Sequence, residues 1–195
     1  IVKEYYRENK VIGAVCHGPA ALVNVTLDDG HQLLEQKNVS GFTNKEELLL
    51  IAEAKSIFPF LLQDKMVEQG ANFKEGPMYL EKVSHDENLI TGQNPWSTWR
   101  LAESMVSQLG YRPKPRKITD EENAVRILSI YRTAGKENAK EMIETMLVKE
   151  KRPVNRVLIA KHSIIAVMKG EVGQFFNLIR LVSFAKQCES KNANI

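Results

Sequence analysis

The sequence predicts an α/β protein in which a flavodoxin-like, mostly parallel sheet is covered by helices and followed by an all-α C-terminal region. Two observations carry this. Through about the first 110 residues, short apolar, β-branched runs alternate with segments of helical periodicity, the order expected when crossover helices join parallel strands. At residues 111–117 the run YRPKPRK, with two prolines and four basic residues, reads as a stiff extended linker, and every periodic segment beyond it is helical. The predicted boundary divides an α/β domain, 1–113, from a helical appendage, 114–195.

The elements follow in order. Residues 2–9 carry a polar helical pattern, and VIGAV (11–15) is short, apolar and β-branched, as a buried parallel strand should be. A sharp turn and a helix come next, with Pro19 suited to the first helical turn and AALVNV continuing it. NVSGF (38–42) predicts a second strand. Residues 44–70 predict a helix broken near Pro59 and closed by Gly70. PMYLEKVSH (77–85) and NLITG (88–92) predict two more strands joined by HDEN, with His85 as a turn residue. A helix from about Ser97, its N-cap, to Leu109 ends at Gly110.

Beyond the linker, Thr119 and the acids at 120–122 form a capping box, and Gly135 ends the helix that it opens. Helices at about 136–150, 154–169 and 172–187 complete the chain. Met142/Ile143 with Met146/Leu147, Ile164/Ile165 with Val167/Met168, and Phe175/Phe176 with Ile179 keep helical spacing and predict packed core.

Composition excludes some classes. Of 195 residues 43% are hydrophobic, yet no apolar run approaches the roughly 18 residues of a membrane span, so no membrane partner is expected. Two distant cysteines, Cys16 and Cys188, make no disulfide framework and fit a reducing compartment, the cytoplasm by default. The opening IVKEYYRENK is no signal peptide, and a start without methionine inside a helical pattern suggests residues upstream. Residues 1–111 hold 10 Lys and Arg against 15 Asp and Glu, a balance of −5, while residues 112–195 hold 17 against 9, a balance of +8. The basic part reads first as a solvated helical surface, because acids are interspersed and no basic–aromatic ladder occurs; a nucleic-acid partner is not expected.

The chemistry concentrates in AVCHGPAAL (14–22). In a strand–turn–helix the turn residue sits on a tight bend near the positive end of the helix, which lowers a thiol pKa and exposes the sulfur. The His17 N–H would point toward an oxyanion, and Gly18 would allow close backbone approach. Equally, Cys16 reads as a small buried residue ending a strand. Glu46 and Glu47 read locally as first-turn acids favouring a helix N-terminus. Asn94, Pro95 and Trp96 follow a strand end, where open α/β sheets bind ligands, so Gly18, Asn94 and Trp96 are candidate pocket residues. His31 and His162 lack partners at ligand spacing, and no phosphate-binding glycine loop occurs, so no metal and no cofactor are expected.

AVCHGPAAL, KNVSGFTNKEE, PFLLQDKMVEQGANFKEGP and LITGQNPWS, in this order and spacing over about residues 1–110, resemble the ThiJ/PfpI superfamily, cysteine-containing relatives of class I glutamine amidotransferases. They are most similar to its glyoxalase III-type and heat-shock chaperone-type branch. The resemblance implies a catalytic set of Cys16 as nucleophile, His17 as its partner and Glu47, six residues after Gly41, as the acidic member. It also implies a glutamate ending the family's first strand and a glycine-rich oxyanion loop, both upstream of the elbow and outside the fifteen residues that precede Cys16.

The activity implied is a cofactor-independent conversion of a small 2-oxoaldehyde to a 2-hydroxy acid, or removal of early glycation adducts from proteins. A small carbonyl substrate is the implied partner, and a homodimer is compatible. Two alternatives stand beside it: a stress-linked holding chaperone or interaction module using the basic helices, and a peptidase-like amide hydrolase. The amidotransferase arrangement is disfavoured, since its downstream H-x-E motif is absent. The C-terminal helices are open to three roles: covering the sheet, dimerisation or partner binding.

Overall fold

The computed structural model describes residues 1–193, with side chains described through residue 190; the end of the predicted 114–195 region lies outside the described residues. The chain divides into two compact units, Ile1–Pro115 and Arg116–Ile195.

In the first unit, helix α1 (Val2–Arg7) leads into strand β1 (Ile12–Val15), which is followed by a single 3-10 turn at Gly18–Ala21. Strand β2 is Asn38–Val39, and helices α2 (Asn44–Leu50), α3 (Ala54–Ile57) and α4 (Leu62–Glu68) follow before strand β3 (Asn72–Phe73). Strands β4 (Val83–Asp86) and β5 (Leu89–Gly92), a 3-10 turn at Pro95–Ser97 and helix α5 (Thr98–Gln108) complete the unit.

The sheets are small. β1 pairs in parallel with β5, Val15 opposite Gly92, and β5 pairs antiparallel with β4, giving the order β1-β5-β4. β2 and β3 form a separate parallel pair, Asn38 opposite Asn72. A Ser40 N–H bond to Thr91 Oγ1, 2.8 Å, ties the segment after β2 to β5. Leu22, Leu34, Val39, Phe42, Met66 and Leu89 form the core between β1, β2 and α4. α5 covers β1 and β5 at a closeness that only Gly13 permits, because a Cβ there would lie 2.2 Å from Met105 Sδ.

Several elements depart from expectation. AALVNV is not helical: the turn closes at Leu22 and Asn24 takes φ +62, where β-branched Val23 and Val25 flank it. Residues 44–70 break twice rather than once. Ile51 turns extended after α2, and Phe58, preceding Pro59, is extended after α3. The strand expected at 77–85 is confined to 83–86, because Tyr79 adopts φ +52, and His85 lies within β4 rather than in the turn. β3 was absent from the sequence reading; a two-residue strand leaves no periodicity to detect. Ser97 is the N-cap of α5, as expected, though its side chain makes no cap bond; Asn94 caps the preceding 3-10 turn, its side chain accepting from Trp96 N–H.

The second unit is helical throughout. Helix α6 (Asp120–Glu144) opens on a Thr119–Glu122 capping box, to which Arg116 adds a two-pronged pair at 2.6 and 2.7 Å. A π-helical turn (Thr145–Lys149), helix α7 (Arg156–Met168), capped by Asn155, and helix α8 (Val172–Ala193) follow. Ile143, Met146 and Leu147 are core as expected, but Ile164, Val167, Met168 and Phe176 are more than half exposed. In α7 the buried face runs through Leu158, Ile159, His162, Ser163 and Ala166, so two polar residues lie inward and apolar residues fall on the outer face as well; Phe176 lies on the exposed side of α8.

Gly135 interrupts α6 at φ +86, ψ 179, a conformation open essentially to glycine alone. A Cβ there would meet nothing within 4 Å, so the cost of substitution is purely conformational. Gly135→Ala is expected to destabilise the helical unit by about 1–3 kcal/mol in urea unfolding followed by far-UV circular dichroism, and an unchanged midpoint would contradict this backbone assignment.

Candidate active site

The backbone fixes the cysteine before its side chain does anything. Cys16 follows β1 directly and adopts φ +61, rare for a residue with a Cβ. Its peptide is held on both sides: Cys16 N–H donates to Gly92 O and Phe42 N–H donates to Cys16 O, each at 2.9 Å. Strain of this kind persists only where surrounding bonds determine it, and it re-aims the side chain out of the strand. Gly18, by contrast, is exposed and leaves room, since a Cβ there would meet only Ala14 Cβ at 3.7 Å.

The bend also answers how adjacent residues can meet. Cys16 Sγ lies 3.4 Å from His17 Nδ1, and His17 Nε2 lies 2.5 Å from Glu47 Oε2. The imidazole rests on the Phe42 ring, centroids 4.5 Å apart, and Phe42 meets the Tyr79 ring edge-on at 6.1 Å. The side chain of His17 is 54% exposed and that of Glu47 only 7%, so the relay runs from an accessible mouth to a buried carboxylate. A carboxylate only accepts, so Glu47 draws the proton to Nε2 and leaves Nδ1 as an acceptor facing sulfur.

The thiol itself is not activated in the expected way. Burial pushes its pKa up, and the Glu46 and Glu47 charges push it further, against a hydrogen bond from the His17 backbone N–H. The expectation of a depressed value fails because burial, and after it the two nearby carboxylates, outweigh the one backbone hydrogen bond that favours the thiolate; the element after Cys16 is also one 3-10 turn rather than an α-helix. Tyr79, half-buried beside the same two carboxylates, has its phenol pushed up as well.

Glu46, set aside in the sequence as a capping acid, is fully buried, and its carboxylate accepts five hydrogen bonds. It does cap: the Thr43–Glu46 capping box opens α2. Asn94 is fully buried and donates to Glu46 Oε1 and Leu80 O, both at 2.8 Å, so it is scaffold rather than pocket lining. Trp96 is partly exposed and stacks on Trp99 at 5.9 Å. Only the stretch around Glu46 offered a signal for these roles, since a T-x-x-E box announces a cap and nothing more.

His31 does have a partner, Glu35 Oε2 at 2.8 Å, four residues on in a turn, in place of the isolation expected for it. Among the described residues no three His, Cys, Asp or Glu side chains gather as a metal site, and no helix is long and apolar enough to cross a membrane.

With its pKa raised, the Cys16 thiolate is scarcer at neutral pH than that of a free cysteine. Cys188 is buried, so iodoacetamide reports Cys16. The alkylation rate should climb with pH to a midpoint above the ordinary thiol value of about 8.5, and a midpoint in the neutral range would contradict the electrostatics described.

No family model matches the chain. A glutathione-independent glyoxalase of Saccharomyces cerevisiae is 33% identical over 116 residues, 56% of this chain and 48% of that protein. A glutamine amidotransferase-like class 1 domain-containing protein of Bos taurus is 30% identical over 112 residues, 57% of this chain and 50% of its own. Among solved structures, glyoxalase III of Candida albicans superposes with a TM-score of 0.50 at 28% identity, covering 55% of this chain and 46% of that one. The chain spans about half the length of these relatives. In sequence and in its partial flavodoxin-like fold, this stretch of the chain is similar to glyoxalase III-type and class 1 amidotransferase-like proteins, the resemblance expected from its motifs.

Proposed function

We propose that Cys16, His17 and Glu47 form the reactive centre of a cofactor-independent glyoxalase that converts a small 2-oxoaldehyde to a 2-hydroxy acid. The relay from Sγ to Nδ1 at 3.4 Å and from Nε2 to Glu47 at 2.5 Å is the observation that carries this reading, and the glyoxalase names of the relatives agree with it.

The chemistry follows from the geometry. The resting thiol is protonated, so attack on the aldehyde carbon must be coupled to proton loss, and His17 Nδ1 faces the sulfur to accept that proton. The imidazolium formed is stabilised by Glu47. His17 returns the proton to the aldehyde oxygen, completing a hemithioacetal. It next removes the hydrogen from the former aldehyde carbon, the hydroxyl proton on that carbon passes to the neighbouring carbonyl oxygen to leave an enediolate, and His17 delivers its proton to the neighbouring carbon. The result is a 2-hydroxy thioester of Cys16. Water then cleaves the C–S bond, releasing the acid and restoring the thiol, so the sum is 2-oxoaldehyde plus water to 2-hydroxy acid: the aldehyde carbon is oxidised, the neighbouring carbonyl carbon is reduced, and no external redox partner is needed. Protein deglycation would use the same thiol on a hemiaminal substrate.

Methylglyoxal consumption and lactate release by the full-length protein test the reading. Cys16→Ala should abolish turnover. Glu47→Gln, whose amide can hold His17 in the wrong tautomer, should lower kcat by about 10²–10⁴-fold with a smaller change in KM. Equal turnover by the wild type and Cys16→Ala would remove the proposal.

A further inference from the structure

Glu47 accounts for one of two adjacent glutamates, and Glu46 is the more deeply buried of the pair. Its Oε2 accepts from Thr43 N–H at 3.1 Å and Thr43 Oγ1 at 2.9 Å. Its Oε1 accepts from Tyr79 N–H at 2.7 Å, Gln93 Nε2 at 3.1 Å and Asn94 Nδ2 at 2.8 Å. Five donors and no acceptor suit an ionised carboxylate and no other side chain, and all five are neutral. Glutamine would turn an N–H₂ against donors on whichever side it faced.

The places these donors occupy connect Glu46 to the elbow. Thr43 follows Phe42, whose N–H holds Cys16 O; Gln93 and Asn94 follow Gly92, whose carbonyl holds Cys16 N–H. The two backbone ends that grip the Cys16 peptide are thus cross-tied one residue further on by a single carboxylate. Tyr79 adds a third segment, and its hydroxyl donates back to Glu46 O at 2.9 Å. Because Glu46 fixes the first turn of α2, it also sets where the next residue, Glu47, presents its carboxylate to His17.

We propose that Glu46 is a positioning residue: a buried carboxylate clamp that binds the segments after β2 and β5 together and holds the Cys16 elbow and Glu47 in register. This rests on reading Cys16, His17 and Glu47 as one reactive site. The groups facing the thiol are His17 from the elbow, Glu46 and Glu47 from α2, and Tyr79 from the loop before β4. Burial first, and the two carboxylates after it, raise the thiol pKa, which favours the protonated form at rest.

The test is the pH profile of Cys16 alkylation by iodoacetamide in the full chain, with circular dichroism to monitor folding. It requires no substrate, so wild type without methylglyoxal turnover would remove the proposed activity and leave this result standing. Glu46→Gln should move the alkylation midpoint down by about half a unit or more, because a like charge beside the thiol is gone. Asn94→Leu removes one donor and keeps the charge. Its midpoint should hold, while the alkylation rate above the midpoint rises about threefold or more as the loosened elbow opens locally. A merely structural Glu46 would lower the melting temperature without moving the midpoint. The proposal is overturned by folded Glu46→Gln protein with the wild-type midpoint or, should that variant not fold, by Asn94→Leu protein with the wild-type rate.

Discussion

A single buried carboxylate organises the α/β unit around its reactive corner. The five bonds to Glu46 join α2, the loop around Tyr79 and the residues that follow β5, segments separated by up to 48 positions in the chain. Burying a charge without a counter-ion is costly unless its hydrogen bonds are saturated, and here they are, by backbone and amide dipoles. The arrangement is strongly asymmetric in its tolerance. Remove the acceptor and five donors are stranded in the interior; remove one donor and the carboxylate keeps four. The elbow hangs from the same two chain ends, so a strained cysteine can be maintained without a long helix behind it.

This division of labour explains why the thiol need not be pre-ionised. The surroundings of Cys16 disfavour the thiolate, while the imidazole beside it has its other nitrogen committed to Glu47. Such a site withholds charge at rest and releases the proton only along a path that a bound electrophile completes. A permanently ionised thiolate would be more prone to oxidation and adventitious alkylation, so a protonated resting state accords with the carbonyl chemistry proposed for the site.

Much of this was legible in the sequence, unevenly and for identifiable reasons. β1, the turn at Cys16, the Thr119 box and the helical character beyond the linker all follow from local pattern, since each is fixed by residues near it in the chain. Glu47 emerged only from resemblance, because its function depends on a histidine thirty positions away. Glu46 carried the visible signature of a helix cap, and that signature was true but incomplete: its other partners, Tyr79, Gln93 and Asn94, converge only in the folded chain. The helix expected after the elbow is a single 3-10 turn, and the lowered thiol pKa gave way to burial and to two carboxylates that local pattern could not place beside the sulfur. On α7, polar His162 and Ser163 lie on the inner face while Ile164, Val167 and Met168 lie outside, so apolar periodicity pointed to the wrong side.

In the proposed relay Glu47 holds His17 as the Nε2–H tautomer with a bare Nδ1 toward the sulfur. Nitrogen-15 NMR of histidine-labelled protein near neutral pH, with the His17 resonances identified by comparison with His17→Ala, reads the tautomer directly. The account predicts a protonated Nε2 and an unprotonated, hydrogen-bond-accepting Nδ1 in the wild type, lost in Glu47→Gln. A proton resident on Nδ1 of the wild-type imidazole with Nε2 bare would contradict it.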